Sequence, residues 1–227
     1  MRHAANAILV SVGLFLALVA GSMAAYPGGS WLDLQAGSHD LLRNFLCDLL
    51  GPIAINGEPN GLGSRAMITA MVILALGLGV TWWSIPGLFA GSTLGKAIRG
   101  CGTLSLIGLV AVPLTPPTVS YQLHAAAVFT GGGPAAAAFV LSLVGLARDR
   151  RTHRLALLGG LAFLSVLVGF GLYARQYFFG GGPTVFLPAS HRVATLCVLG
   201  WLIAIALQLR ARHRVQGSSP ITTKPLP

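Results

Sequence analysis

Ala66-Met67-Ile68-Thr69-Ala70-Met71-Val72-Ile73-Leu74-Ala75-Leu76-Gly77-Leu78-Gly79-Val80-Thr81-Trp82-Trp83-Ser84-Ile85 runs for 20 positions without a charged side chain. Coiled as an α-helix, such a run covers about 30 Å, the hydrocarbon thickness of a bilayer. Five further segments are nearly as apolar: Asn6–Ala25, Ile98–Leu114, Tyr121–Ala147, Leu155–Tyr173 and His191–Leu209. In lipid each segment must satisfy its own backbone groups, which leaves the helix as the form available to a single span. The strict alternation of a membrane β-barrel is absent. The expected fold class is all-α: an integral membrane bundle of six transmembrane helices over residues 1–214. The Ser-, Thr- and Pro-rich tail, 215–227, is expected to be disordered and cytoplasmic.

Composition agrees. Of 227 residues, 54% are hydrophobic and 9% charged, with a mean hydropathy of +0.76. Soluble domains carry about 25% charged residues. The net charge of +10 invites a nucleic-acid partner. The basic residues, however, sit at the ends of apolar runs and are not interleaved with aromatics, so no nucleic acid is expected. The expected partners are membrane lipids; a membrane-protein partner or a homo-oligomer is also open.

Eleven of the 15 Lys and Arg residues fall at alternate helix ends, beginning with Arg2 and including Lys96, Arg99, the Arg148–Arg154 run and Arg210–Arg214. The positive-inside rule then puts both termini in the cytoplasm of a cell (inner) membrane and loop 26–65 outside. The first segment has the basic start and the Ser22-Met23-Ala24 site of a signal peptide. Its apolar run exceeds the ~7–15 residues of a signal core, and it is read as an uncleaved helix.

Four of the five carboxylates, Asp33, Asp40, Asp48 and Glu58, lie in that outer loop. Between Ser38 and Gly51 polar pairs (His39/Asp40, Arg43/Asn44, Cys47/Asp48) alternate with apolar pairs (Leu41/Leu42, Phe45/Leu46, Leu49/Leu50). This pattern predicts a short amphipathic helix over about 38–50, capped by Ser38 and stopped by Gly51-Pro52. The helix either lies on the outer leaflet or covers the mouth of the bundle. In the second placement its polar face meets His124, Arg175, His191 and Arg192, which reach the same side. The candidate pocket is therefore Asp40, Arg43, Asn44, Asp48, His124, Arg175, His191 and Arg192. Ionisable groups at a bilayer edge are paired or functional, and the simplest pairing is Asp48 with Arg192 or Arg175. The alternative is zinc held by His39, His124, His191 and Asp48. No HxxxH or HExxH spacing supports it, so no cofactor and no catalytic residue follow from the sequence.

Two other features invite a reading. Cys47, Cys101 and Cys197 form an odd, scattered set without a CxxC pair, from which no disulfide framework follows. Gly131-Gly132-Gly133-Pro134, within the fourth segment, predicts either close helix packing or a kink, because proline removes a backbone donor from the carbonyl of Thr130.

The outer motif and six-helix plan together resemble bacterial membrane proteins of unknown function related to the DRAM-type group. That group has an Asn-containing outer stretch leading into a Ser-Asp/Glu-Leu-Gly element. Asn44, Asp48, Leu49 and a displaced Gly51 match it, and Cys47 stands in place of the serine. His124 resembles the group's histidine at the outer start of the fourth helix. His191-Arg192 replaces an acidic-Arg pair at the last. The resemblance implies a six-helix bundle and carries over no catalytic residue. The expected function is binding or sensing of a lipid or small molecule in an outward polar pocket, or support of a membrane partner, without enzymatic activity. The alternatives are a metal-dependent intramembrane hydrolase acting on lipid at the outer leaflet, and a transporter. The latter is disfavoured by helix centres that lack acids.

Overall fold

The computed structural model describes residues 1–89, 91–180 and 184–217. Six helices run through them: α1 (Arg2–Ala25), α2 (Gly61–Ser84), α3 (Ser92–Leu114), α4 (Tyr121–Ala147), α5 (His153–Phe178) and α6 (Phe186–Gly217). All six are long and apolar enough to cross a membrane, which makes this a multi-pass membrane protein. Strand pairing among the described residues is limited to two isolated bridges, Ser30 with Asp33 and Ile53 with Pro59. The helices extend past the apolar segments because the membrane limits the hydrocarbon length and not the helix. At 32 residues, α6 is about 48 Å long. His191 and Arg192 consequently lie in its second turn rather than at its start. Val215–Gly217 continue α6, and the rest of the expected tail, 218–227, lies outside the described residues.

Each helix packs on its neighbours in sequence, and α6 closes the ring against α1. The two ends of the bundle are held differently. At the basic end, Arg210 donates from Nε and Nη2 to Asn6 Oδ1 at 3.0 and 2.7 Å. Arg212 pairs with Asp149 at 3.1 Å and also donates to Gly87 O. The interior of this half is filled by aromatic rings. Phe139 stacks on Trp201 with centroids 4.3 Å apart, and Trp82 meets both rings at 6.2 Å. Trp201 Nε1 donates to Leu155 O, so its polar atom is satisfied inside the apolar core.

Close helix approach accounts for Gly131 of the Gly-Gly-Gly-Pro stretch. α4 continues through Pro134 as one helix. A Cβ on Gly108 of α3 would stand 2.0 Å from Gly131 N of α4, so the two backbones are in direct contact. A Cβ on Gly132 meets nothing within 4 Å.

The expected helix over 38–50 is replaced by a turn at 41–43 and a single 3-10 segment, Leu46–Leu50. Side chains that bond to nearby backbone are the reason. Asp40 Oδ1 accepts from Leu42 N at 2.7 Å and Arg43 N at 3.1 Å, while Asn44 Oδ1 accepts from Asp40 N at 2.9 Å. Such bonds compete with a helical ladder. Ser38 caps nothing and is exposed. The loop also ends earlier than expected, at Asn60, because α2 starts at Gly61.

The packing predicts a contrast. Gly108→Ala should lower the melting temperature in detergent, at a cost of about 1–3 kcal/mol for overpacking. Gly132→Ala should leave it nearly unchanged. Circular-dichroism melts of the two variants measure this, and equal melting would contradict the backbone contact.

Candidate functional site

Loop 26–60 folds over one end of the ring, with Asn44 and Asp48 among its buried polar side chains. Asn44 is 0% exposed and Asp48 2%. Asp48 Oδ2 accepts from Phe45 N at 2.8 Å and Asn44 Nδ2 at 3.2 Å, and Oδ1 accepts from Trp31 Nε1 at 3.2 Å. The Phe45 bond satisfies a free amide at the start of the 3-10 segment. Asn44 also donates from Nδ2 to Gly29 O at 2.8 Å. With its Oδ1 taken by Asp40 N, its amide group is fully used. Gly29 has φ +82, and a Cβ there would lie 2.3 Å from Asn56 N, so only glycine brings this carbonyl to Asn44.

The helices hold this loop from two sides. Arg192 of α6 donates from Nε to Leu41 O and from Nη2 to Asn44 O at 2.9 Å, and Nη2 lies 3.3 Å from His39 Nε2. At the start of α2, Asn60 Nδ2 donates to Leu49 O and Gly51 O, and Ser64 Oγ to Leu50 O at 2.6 Å. These bonds satisfy carbonyls at the end of the 3-10 segment. Asn60 is thus the peg joining loop and bundle.

Beneath the loop the ring is not filled. A cavity of about 790 Å³ opens between α4, α5 and α6, with Phe15 of α1 and Met71 and Leu74 of α2 behind it. Its roof is Trp31 and Phe45–Asp48. The wall is mostly apolar: Val128 and Phe129 on α4, Val166 and Phe170 on α5, Val198 and Leu199 on α6. Polar groups gather near the roof: Asp48, His124, His191, Arg192 and Gln176. His124 is 7% exposed, and its Nδ1 lies 2.8 Å from Thr115 O. A carbonyl can only accept, so Nδ1 carries the hydrogen. His191 packs edge-on to Phe45 at 5.4 Å and against Gly169, where a Cβ would come within 3.1 Å of its ring.

The eight expected pocket residues divide evenly. Asp48, His124, His191 and Arg192 line the cavity. Asn44 lies behind the roof and acts through Asp48 and Arg192. Asp40 and Arg43 are on the outer surface, where Arg43 meets Asp40 at 3.6 Å and Asp33 at 3.8 Å in exposed pairs of small energetic worth. Arg175 is exposed in the last turn of α5. The expected Asp48–arginine ion pair is not formed: backbone carbonyls and His39 take the Nε and Nη2 donors of Arg192, and neutral groups hydrogen-bond Asp48. Among the described residues no three His, Cys, Asp or Glu side chains are grouped closely enough to share a metal ion. Of the four suggested zinc ligands, His39 meets Arg192, His124 holds Thr115 O, His191 faces Phe45, and Asp48 is enclosed by its donors. Cys47, Cys101 and Cys197 are all unbridged.

Sequence reading missed the apolar wall. Its signal is present: Tyr121, Ala125, Val128 and Phe129 share one helical face of α4, and Val166, Phe170, Tyr173 and Gln176 nearly share one of α5. In a chain apolar on all faces, nothing distinguishes that face from one turned to lipid. No family model, curated protein or solved structure matches the chain.

Burial and the neighbouring Arg192 hold His39 down at about 4, from an ordinary 6.5. Burial pushes Asp48 above the usual carboxylate range, against the pull of Phe45, Asn44, Trp31 and Arg192. The two act on stability with opposite sign. The folded protein takes up the His39 proton later than the unfolded chain does. Stability from His39 is therefore complete above pH 6.5 and is lost as pH falls toward 4. Asp48 adds stability on acidification. His39→Gln, which still offers Arg192 an acceptor, should flatten the loss of melting temperature between pH 6.5 and 4. An unchanged slope in thermal melts would show that His39 is not its source.

Proposed function

We propose that this protein sits in the cell membrane with both termini in the cytoplasm, and binds a lipid or lipid-like small molecule in the cavity under its outer loop. The observation that carries the reading is the cavity itself. About 790 Å³ lies within the range of small-molecule sites. Its polar groups gather at one end and its apolar wall continues from there toward the bundle centre. From Tyr121 to Phe129 on α4, and from Val166 to Gln176 on α5, that wall runs about 12–15 Å along the helices. A site that is long, apolar and polar at one end matches an amphiphile. The bonded loop supports binding over passage, since Asn44, Asp48, Asn60 and Arg192 hold the roof in place. Such a protein would sense the lipid or present it to a membrane partner. The likeness to the DRAM-type group belongs to the same reading; of its motif residues, Asp48 is in the roof and Asn44 bonds it from behind.

Retention of lipid tests the binding. Native mass spectrometry of protein released from nanodiscs should find one amphiphile-sized adduct per chain. Ala125→Phe, which places a ring in the cavity, should lose most of it at unchanged melting temperature. An empty wild type, or an Ala125→Phe variant that retains the adduct equally, would sink the proposal.

Orientation has its own test. Ser38→Cys and Ser92→Cys, both at exposed positions at opposite ends of the bundle, are introduced with the native cysteines replaced by alanine. In intact cells an impermeant maleimide should label the first and spare the second; the reverse pattern would invert the topology.

A further inference from the structure

The geometry points to an anionic head group on the bound amphiphile: its carboxylate or phosphate meets the Nη1 side of Arg192, and its chain lies along the apolar wall between α4, α5 and α6. This rests on the lipid-binding reading above and adds the chemistry of the head.

Arginine carries five N–H donors. In Arg192, Nε is taken by Leu41 O, and Nη2 by Asn44 O at 2.9 Å and His39 at 3.3 Å. The two donors on Nη1 have no hydrogen bond among the described residues, and Arg192 is part of the cavity wall. The bonded edge of the guanidinium fixes its plane, so the remaining nitrogen is held in position before any ligand arrives. A fixed donor gains more from an acceptor than a mobile one, because little side-chain freedom is lost on binding.

Asp48 is the acidic residue in the wall, and it is in the opposite condition. Three donors, from Trp31, Asn44 and Phe45, already fill most of its acceptor capacity. The charges of Asp48 and Asp40 act on Arg192 across the loop, but a cationic head would find the Asp48 carboxylate enclosed by its own loop. An anionic head finds two unspent donors on a charged group, and the Gln176 amide of α5 adds a neutral donor to the same wall. Charge-assisted bonds of this kind are stronger than neutral ones, and more so where apolar walls exclude water.

The test uses full-length protein in phosphatidylcholine nanodiscs, with oleate, oleyl alcohol and oleylamine as probes and native mass spectrometry as the readout. Oleate should bind about tenfold more tightly than oleyl alcohol, a modest return for charged hydrogen bonds. Arg192→Gln should erase that preference, Arg192→Lys should retain part of it, and Ala125→Phe should weaken all three probes alike. Excess acetate should leave oleate bound, since the chain supplies part of the affinity. Equal binding of oleate and oleyl alcohol, a preference for oleylamine, or displacement by acetate would overturn the head-group assignment while leaving a binding cavity. Failure of all three probes would remove the lipid-binding reading as well. The wild-type ranking decides the question even if Arg192→Gln does not fold.

Discussion

A carboxylate 2% exposed at the edge of an apolar bundle has no water to satisfy it, so the protein must supply the donors. Asp48 imposes that demand on the whole loop. Trp31 is drawn in from one turn, Phe45 presents its amide from the next, and Asn44 is buried between them. Burial of Asn44 then creates its own obligations, met by Gly29 O and Asp40 N. The backbone carbonyl of Asn44 is answered by Arg192 of α6. A chain of requirements thus runs from one carboxylate to the helix bundle, each step forced by the cost of an unmade buried hydrogen bond. Asp48 and Arg192 form no ion pair, but they are coupled by charge and through Asn44.

The cavity follows from an imbalance in how the ring is filled. Near the basic end, Phe139 stacked on Trp201, with Trp82 edge-on to Phe139, occupies the middle. Toward the loop end, the inward positions of α4, α5 and α6 include Ala125, Gly169 and Ala194, whose small side chains leave space. α5 has the least buried span of the six helices, so it closes the ring without filling it. The bonded loop then covers the opening. Hydrogen-bonded roof, apolar wall and a cluster of polar groups where the two meet are consequences of the same packing.

The helices were legible in the sequence because the bilayer reduces the choice of structure to one. Apolar runs of the right length are helices, and the basic residues mark alternate ends whatever the tertiary contacts. The loop was legible in part. Its polar and apolar pairs suggested a helical period, yet the polar members were Asp and Asn, whose short side chains bond the local backbone and displace the ladder. The pocket residues were half legible for a related reason. Charged and imidazole groups stand out in an apolar chain, so Asp48, His124, His191 and Arg192 could be found. Which of the others faced inward could not, because an apolar helix gives no sign of which side meets lipid and which meets protein.

By itself the sequence determined the class of protein, the number of spans and the gathering of four of its five acids at one end. Those depend on hydrophobic length and charge placement, which are properties of each segment alone. Tertiary structure decided that Asn44 is the centre of the loop, that the Asp48 carboxylate is enclosed by neutral donors, and that Arg192 lines the cavity while holding the loop. These are outcomes of burial, and burial is set by which surfaces meet. A hydrogen bond across some 150 positions, such as Arg192 to Asn44, costs nothing to leave unmade in water and a great deal once both groups are covered. That difference is created by the fold.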